Sequence, residues 1–165
     1  MTTTMETTTM NTMTATDTVA AARMRFGPGG GTYRIVTTAD ESGGRHFVMD
    51  VVEPPGGGPP RHTHEGEDEY FVVLAGQVTF DVDGSVSTVT AGGSAFVPRG
   101  VPHCFKNQST DDVRLLVMFT PGTAEGFFEY GLPVNGARPS EQHLINRILE
   151  LAPRYGIELL GPSTL

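Results

Sequence analysis

The sequence predicts an all-β fold, a barrel or sandwich, with α-helices added at its C-terminal end. Three observations predict it. From Gly29 onward, short β-branched and aromatic runs alternate with glycine- and proline-rich turns, the punctuation of many short strands. After Phe119 the apolar spacing changes from two residues to three and four, the spacing of helices. The length of 165 residues, with 38% of them hydrophobic, suits one domain with a single core.

Taken in order, residues 1–22 are rich in threonine and too poor in apolar groups to offset the entropy of ordering, so a disordered tail is expected. The first twenty residues, MTTTMETTTMNTMTATDTVA, have no basic residue and no apolar h-region, unlike a secretory signal or a transit peptide, so a cytoplasmic protein is expected. Residues 23–121 carry the strands, in TYRIVTT, RHFVMDVVE, EYFVVLA, QVTFDVD, SVSTVTA, SAFVP and VRLLVMFTP. Asp83-Gly84 between two of them tolerates positive φ and predicts a tight hairpin. EYFVVLA is apolar on both faces, which predicts cover from inside the barrel and from a second sheet or subunit, hence a homodimer.

Residues 122–165 are predicted as helices packed on the barrel. Ser140 offers an N-cap, Leu144, Ile148 and Leu151 form a stripe reinforced by Ile145 and Leu149, and Gly156 is a terminator. Pro153 predicts a break near Ala152.

Composition excludes several function classes. A formal net charge of −8, with Lys106 the only lysine, disfavours nucleic acid. Cys104 is the only cysteine, so no internal disulfide is possible; a buried core thiol is expected. The longest apolar runs, FVVLA and LLVMF, are too short to cross a bilayer as helices, and no membrane partner is expected.

The chemistry concentrates in RHTHEGEDEYFVVLAG. His62 and His64, two residues apart on a strand, face the same way and can aim both rings at one point. Alone, the pair fits two solvated histidines equally well. Glu69, however, enters an apolar strand, where a carboxylate is costly without a compensating cation. His103 follows a Pro-x-Gly turn in a second strand-like segment. Glu67 shares the phase of Glu69 and could substitute for it, whereas Glu65 and Asp68 read as rim charges. His46 reads as outward-facing and His143 as exposed on a helix.

These segments resemble the two motifs of the cupin superfamily, G-x5-H-x-H-x(3,4)-E-x6-G and G-x5-P-x-G-x2-H-x3-N. Gly56, His62, His64, Glu69 and Gly76 fill the first, and Gly92, Pro98, Gly100, His103 and Asn107 the second. The resemblance implies a double-stranded β-helix, the jelly-roll or cupin barrel, with one metal held by His62, His64, Glu69 and His103. Three imidazoles and a carboxylate suit a divalent Fe, Mn, Ni, Co, Cu or Zn ion better than Ca or Mg.

Two residues along each strand from a ligand lie Phe71 and Val73 after Glu69, and Val101 and Phe105 around His103. With Met49, Phe127 and Phe128 they are expected to form a greasy pocket for a small organic substrate. The segments TPG, GFFEYGLP and APRYGIELLGP also resemble the quercetinase-like dioxygenases. That resemblance implies a dioxygenase of an aromatic, flavonol- or polyketide-like enol, with dioxygen as co-substrate and Glu69 as ligand and base. A Lewis-acid cyclase, isomerase, dehydratase or decarboxylase without oxygen, and a non-catalytic small-molecule binder, are the alternatives. Phe127, Phe128 and Tyr130 suggest that the C-terminal segment acts as a lid.

Overall fold

A computed structural model describes residues 24–165, so the expected tail at 1–22 lies outside the described residues. Twelve strands run in the order β1 (Arg25–Phe26), β2 (Thr32–Thr37), β3 (Phe47–Glu53), β4 (Arg61–His64), β5 (Asp68–Ala75), β6 (Gln77–Val82), β7 (Ser85–Thr90), β8 (Ser94–Val97), β9 (His103–Lys106), β10 (Val113–Thr120), β11 (Leu132–Pro133) and β12 (Ile157–Gly161). Among the described residues two α-helices interrupt them, α1 (Ala39–Ser42) and α2 (Glu141–Leu151).

The strands form two antiparallel sheets, β11-β1-β2-β3-β10-β5-β8 and β12-β4-β9-β6-β7. They share one core, which is the jelly-roll arrangement that the alternating runs predict. Period-two patterning decides what enters it: Phe47, Met49 and Val51 of β3, Phe71 and Val73 of β5, and Leu115, Val117 and Phe119 of β10 are all buried. Phe47 and Phe119 stack at 4.5 Å between centroids, and Phe71 packs edge-on to Phe80 and Phe105. The Asp83-Gly84 turn joins β6 to β7, with positive φ at both residues.

The outer face of β5 is different. Tyr70 and Leu74, with Phe96 of β8 beside Tyr70, are 39%, 42% and 54% exposed, so the second cover predicted for that face is not supplied by the described part of this chain.

The C-terminal segment corrects the expectation of helix throughout. Residues Glu125–Tyr130 form a 3-10 helix rather than an α-helix. Ser140 caps α2 as predicted, accepting from the His143 backbone N–H, and the chain tightens to 3-10 geometry at Ala152, where Pro153 removes a donor. Gly156 ends it in the left-handed conformation. Residues 157–161, however, form β12, which pairs with β4. Leu144 and Ile148 are buried, whereas Ile145 and Leu149 face outward and do not reinforce the stripe. No helix among the described residues is long and apolar enough to cross a membrane.

Candidate metal centre

β4 lies between β12 and β9, which fixes both of its histidines. Leu159 pairs with His62 and Ile157 with His64 on one side; His103 pairs with His62 on the other. The preceding Pro59-Pro60 favours an extended entry to the strand. Glu69 arrives from the facing sheet, where it pairs with Phe119 and Val97.

Four ligand atoms, one each from His62, His64, Glu69 and His103, lie within 4.8 Å of one another. Donors on one ion, with bonds of about 2.0–2.2 Å, stand about 3–4.4 Å apart, so the spread closes with small side-chain movements. Two of the rings are already oriented for the task. Nδ1 of His62 donates to the Pro60 carbonyl at 2.8 Å, and Nδ1 of His103 donates to the Val101 carbonyl at 2.9 Å. A carbonyl only accepts, so Nδ1 carries a proton in both rings; Nε2 of His62 presents its lone pair to the cavity, and Nε2 of His103 faces Glu69. The donor set therefore fits a transition ion, and these four residues could hold one.

The protonation pattern agrees for His62 and His64, whereas Glu69 raises His103 against the effect of burial. Burial, and then the neighbouring His103 and His64, push His62 down to about 3, so its ring is neutral at ordinary pH. Burial also lowers His64. For Glu69, burial acts upward, but the charges of His64 and His103 and the His103 hydrogen bond outweigh it and hold the carboxyl at about 2. His103 Nε2 lies 2.5 Å from Glu69 Oε2, a contact that needs a proton or a shared cation between the atoms.

Glu67 is buried but is not part of the four-residue group. Its Oε1 accepts from the Thr123 hydroxyl, and its Oε2 lies 3.9 Å from His64 Nδ1, too far for a hydrogen bond. Both of those atoms are buried without a hydrogen-bond partner. Glu67 thus stands behind His64 rather than in place of Glu69. Glu65 is exposed, and Asp68 pairs with Arg99 at 2.9 Å. His46 is half-buried just before β3, and His143 is exposed on α2. Cys104 is a buried free thiol facing away from the cavity, with Sγ 3.4 Å from the Thr164 hydroxyl.

The cavity in front of the histidines is mostly apolar. Met49, Phe71, Phe105, Phe127 and Phe128 line it, but Val73 and Val101 do not. Val73 shares the phase of Glu69 yet is buried in the packed core, and Val101 packs part-buried against that core. Period two assigns a face; it does not assign a depth. Sequence reasoning also missed Phe119, Tyr33 and Glu53, which line the cavity too.

With this geometry in place, residues 49–119 match the family described as the cupin domain. These residues form a cupin domain. This cupin is 28% identical over 134 residues to a quercetin 2,3-dioxygenase of Bacillus subtilis, a match covering 79% of this chain and 40% of that protein. It is 32% identical over 65 residues to an oxalate-binding protein of Thermotoga maritima, covering 39% of this chain and 54% of the relative. A solved structure of an RmlC-like cupin from Shewanella frigidimarina aligns at TM-score 0.55 and 21% identity, over 64% of this chain and 88% of that one, and shows the shared fold. The chain spans between 14% and 54% of the length of the curated relatives it matches.

Proposed function

We propose that this cupin is a metal-dependent enzyme, a dioxygenase acting on an aromatic, flavonol- or polyketide-like enol. The observation that carries the reading is a buried group of three histidines and a glutamate opening into an aromatic cavity. The likeness to quercetin 2,3-dioxygenase supports it, because that match is longer than the cupin segment itself.

His62, His64, Glu69 and His103 would hold the ion, one of divalent Fe, Mn, Ni, Co, Cu or Zn. When bound, such an ion would supply Lewis acidity toward an enol oxygen and, if it is one of the redox-active ions rather than Zn, a one-electron route to dioxygen. Glu69 accepts the enol proton, since its carboxyl is ionised and directed inward. The hydrogen bonds from His62 and His103 to backbone carbonyls keep both rings turned to the cavity while that proton moves. Phe71, Phe105, Phe119 and Phe128 exclude water and present flat apolar surface to a planar substrate.

Elemental analysis of protein purified without added metal, followed by oxygen uptake with flavonols, tests the reading. About one transition ion per chain and oxygen consumption matched to substrate loss are expected. Equal turnover under strict anaerobiosis would replace it with the Lewis-acid reaction, and tight binding without product with a ligand-binding cupin. Glu69→Gln with metal retained and activity unchanged would remove the base role. The homodimer belongs to the same proposal; it is supported by exposed Tyr70, Leu74 and Phe96, and a monomeric mass in solution would end it.

A further inference from the structure

Glu53 is the last residue of β3 and faces inward in phase with Met49 and Val51. It lines the same cavity as the histidines, yet it is only 8% exposed and its Oε2 has no hydrogen-bond partner. An unpaired carboxyl in such a place costs stability, so packing alone does not account for it. The surroundings are shaped around it. A Cβ on Gly31 would lie 2.3 Å from Glu53 Oε2, and one on Gly57 would lie 2.5 Å away, so both glycines leave room for the carboxyl. Asn107 holds the position from behind, donating from Nδ2 to the Glu53 carbonyl at 2.9 Å.

The neighbouring polar groups are committed elsewhere. The Arg138 guanidinium donates to the carbonyls of Gly27 and Gly31, and Glu141 accepts from the Gly29 backbone N–H at 2.9 Å. The Tyr33 hydroxyl donates to the Phe128 carbonyl at 2.5 Å and accepts from the Gly131 N–H. Glu53 is therefore the group at this end of the cavity left available to a ligand. It is also remote from the metal centre, since Asn107 lies four residues beyond His103, about 13 Å of extended strand.

We propose that Glu53 is a specificity-determining residue that donates a hydrogen bond to a hydroxyl or carbonyl oxygen at the end of the substrate far from the metal centre. The inference rests on the enzyme reading above and deepens it: the substrate is elongated, with an enol oxygen at one end and an uncharged oxygen at the other. A second anionic group is disfavoured, because Glu141 already places negative charge near Glu53 and the Arg138 guanidinium is hydrogen-bonded to backbone carbonyls. Burial raises the carboxyl to about 8, against the opposing charge of Arg138 and with that of Glu141, so it keeps its proton at neutral pH and is a donor.

Two matched probe pairs test the assignment: kaempferol against galangin, which lacks one hydroxyl, and phenol against toluene, in which a methyl group replaces the hydroxyl. Binding to metal-loaded protein is measured without oxygen for wild type, Glu53→Gln and Glu53→Leu, with metal content followed by elemental analysis. The wild-type preference for the oxygen-bearing member is expected to fall about tenfold in Glu53→Leu and to persist largely in Glu53→Gln, with metal content unchanged. Loss of flavonol binding with the phenol preference intact defeats the flavonol reading and leaves Glu53 in its role. Identical preferences in all three proteins, no preference for phenol in wild type, or loss of metal in either variant overturns the assignment. Should Glu53→Leu fail to fold, the Gln variant together with the infrared carbonyl band of protonated Glu53 decides: phenol, unlike toluene, must shift that band in wild type.

Discussion

The two ends of the cavity each hold a buried glutamate, and their surroundings drive them in opposite directions. Glu69 has three histidines around it and stays ionised; Glu53 has two glycines and an apolar wall and stays protonated. Both sit in the inward phase of a strand in one sheet. Burial costs both charges alike, so nearby partners decide the state. Asp50, beside Glu53 on β3 but on the outer face, completes the comparison: Arg114 and Arg34 clamp it at 2.8 Å and lower its pKa despite burial.

The largest expected effect comes from breaking the ionised end. His103→Ala removes a ligand and the partner of Glu69 together, and should weaken metal binding by at least about 100-fold, read by elemental analysis after dialysis. Next is Asp50→Asn, which leaves two arginines without their acceptor and should destabilise the fold by about 2–3 kcal/mol at neutral pH in denaturant titration. The folded pKa of Asp50 lies below its unfolded value of about 3.9, so its contribution is complete above that pH and fades as pH falls through the folded value. The variant and wild type should therefore converge in acid.

Glu67→Ala tests the residue standing behind His64. It should lower metal affinity about tenfold while leaving the fold intact, because the ring loses the carboxylate facing its Nδ1. The smallest effect, read near pH 5, should come from Glu53→Gln. The unfolded carboxyl ionises near pH 4.3 and the folded one only near 8, so between these values the unfolded chain binds fewer protons and stability declines as pH rises. Removing the ionisable group should raise Tm by about 3–5 °C at pH 5, by more as pH rises toward 8, and change almost nothing at pH 3.

The contrast between these residues also shows what the sequence could reveal. His62 and His64 were legible because a strand's period fixes their shared face, whereas Glu69 and His103, on other strands, joined them through the resemblance to the two cupin motifs. Glu53 was not, since a glutamate at a strand end followed by two prolines reads as a solvated turn; the room for its carboxyl is left by Gly57 just after that turn and by Gly31, distant in the chain. Residues 157–161 failed for another reason. The spacing of Ile157, Leu159 and Leu160 fits a short helix as well as a strand, and only the open edge of β4 decides between them. This bears on the lid idea: a truncation before Gly122 would remove β12 along with Phe127 and Phe128, so it would disturb the histidine strand as well as the cavity wall.

That pairing of β12 with β4 has a consequence for biosynthesis. On the ribosome the histidine-bearing strand emerges about ninety residues before the segment that flanks it. Until then the nascent chain displays an unpaired edge carrying two imidazoles, open to stray metal and to other chains. The proposed centre can mature only after β12 has been made, so any metal loading follows synthesis of that segment.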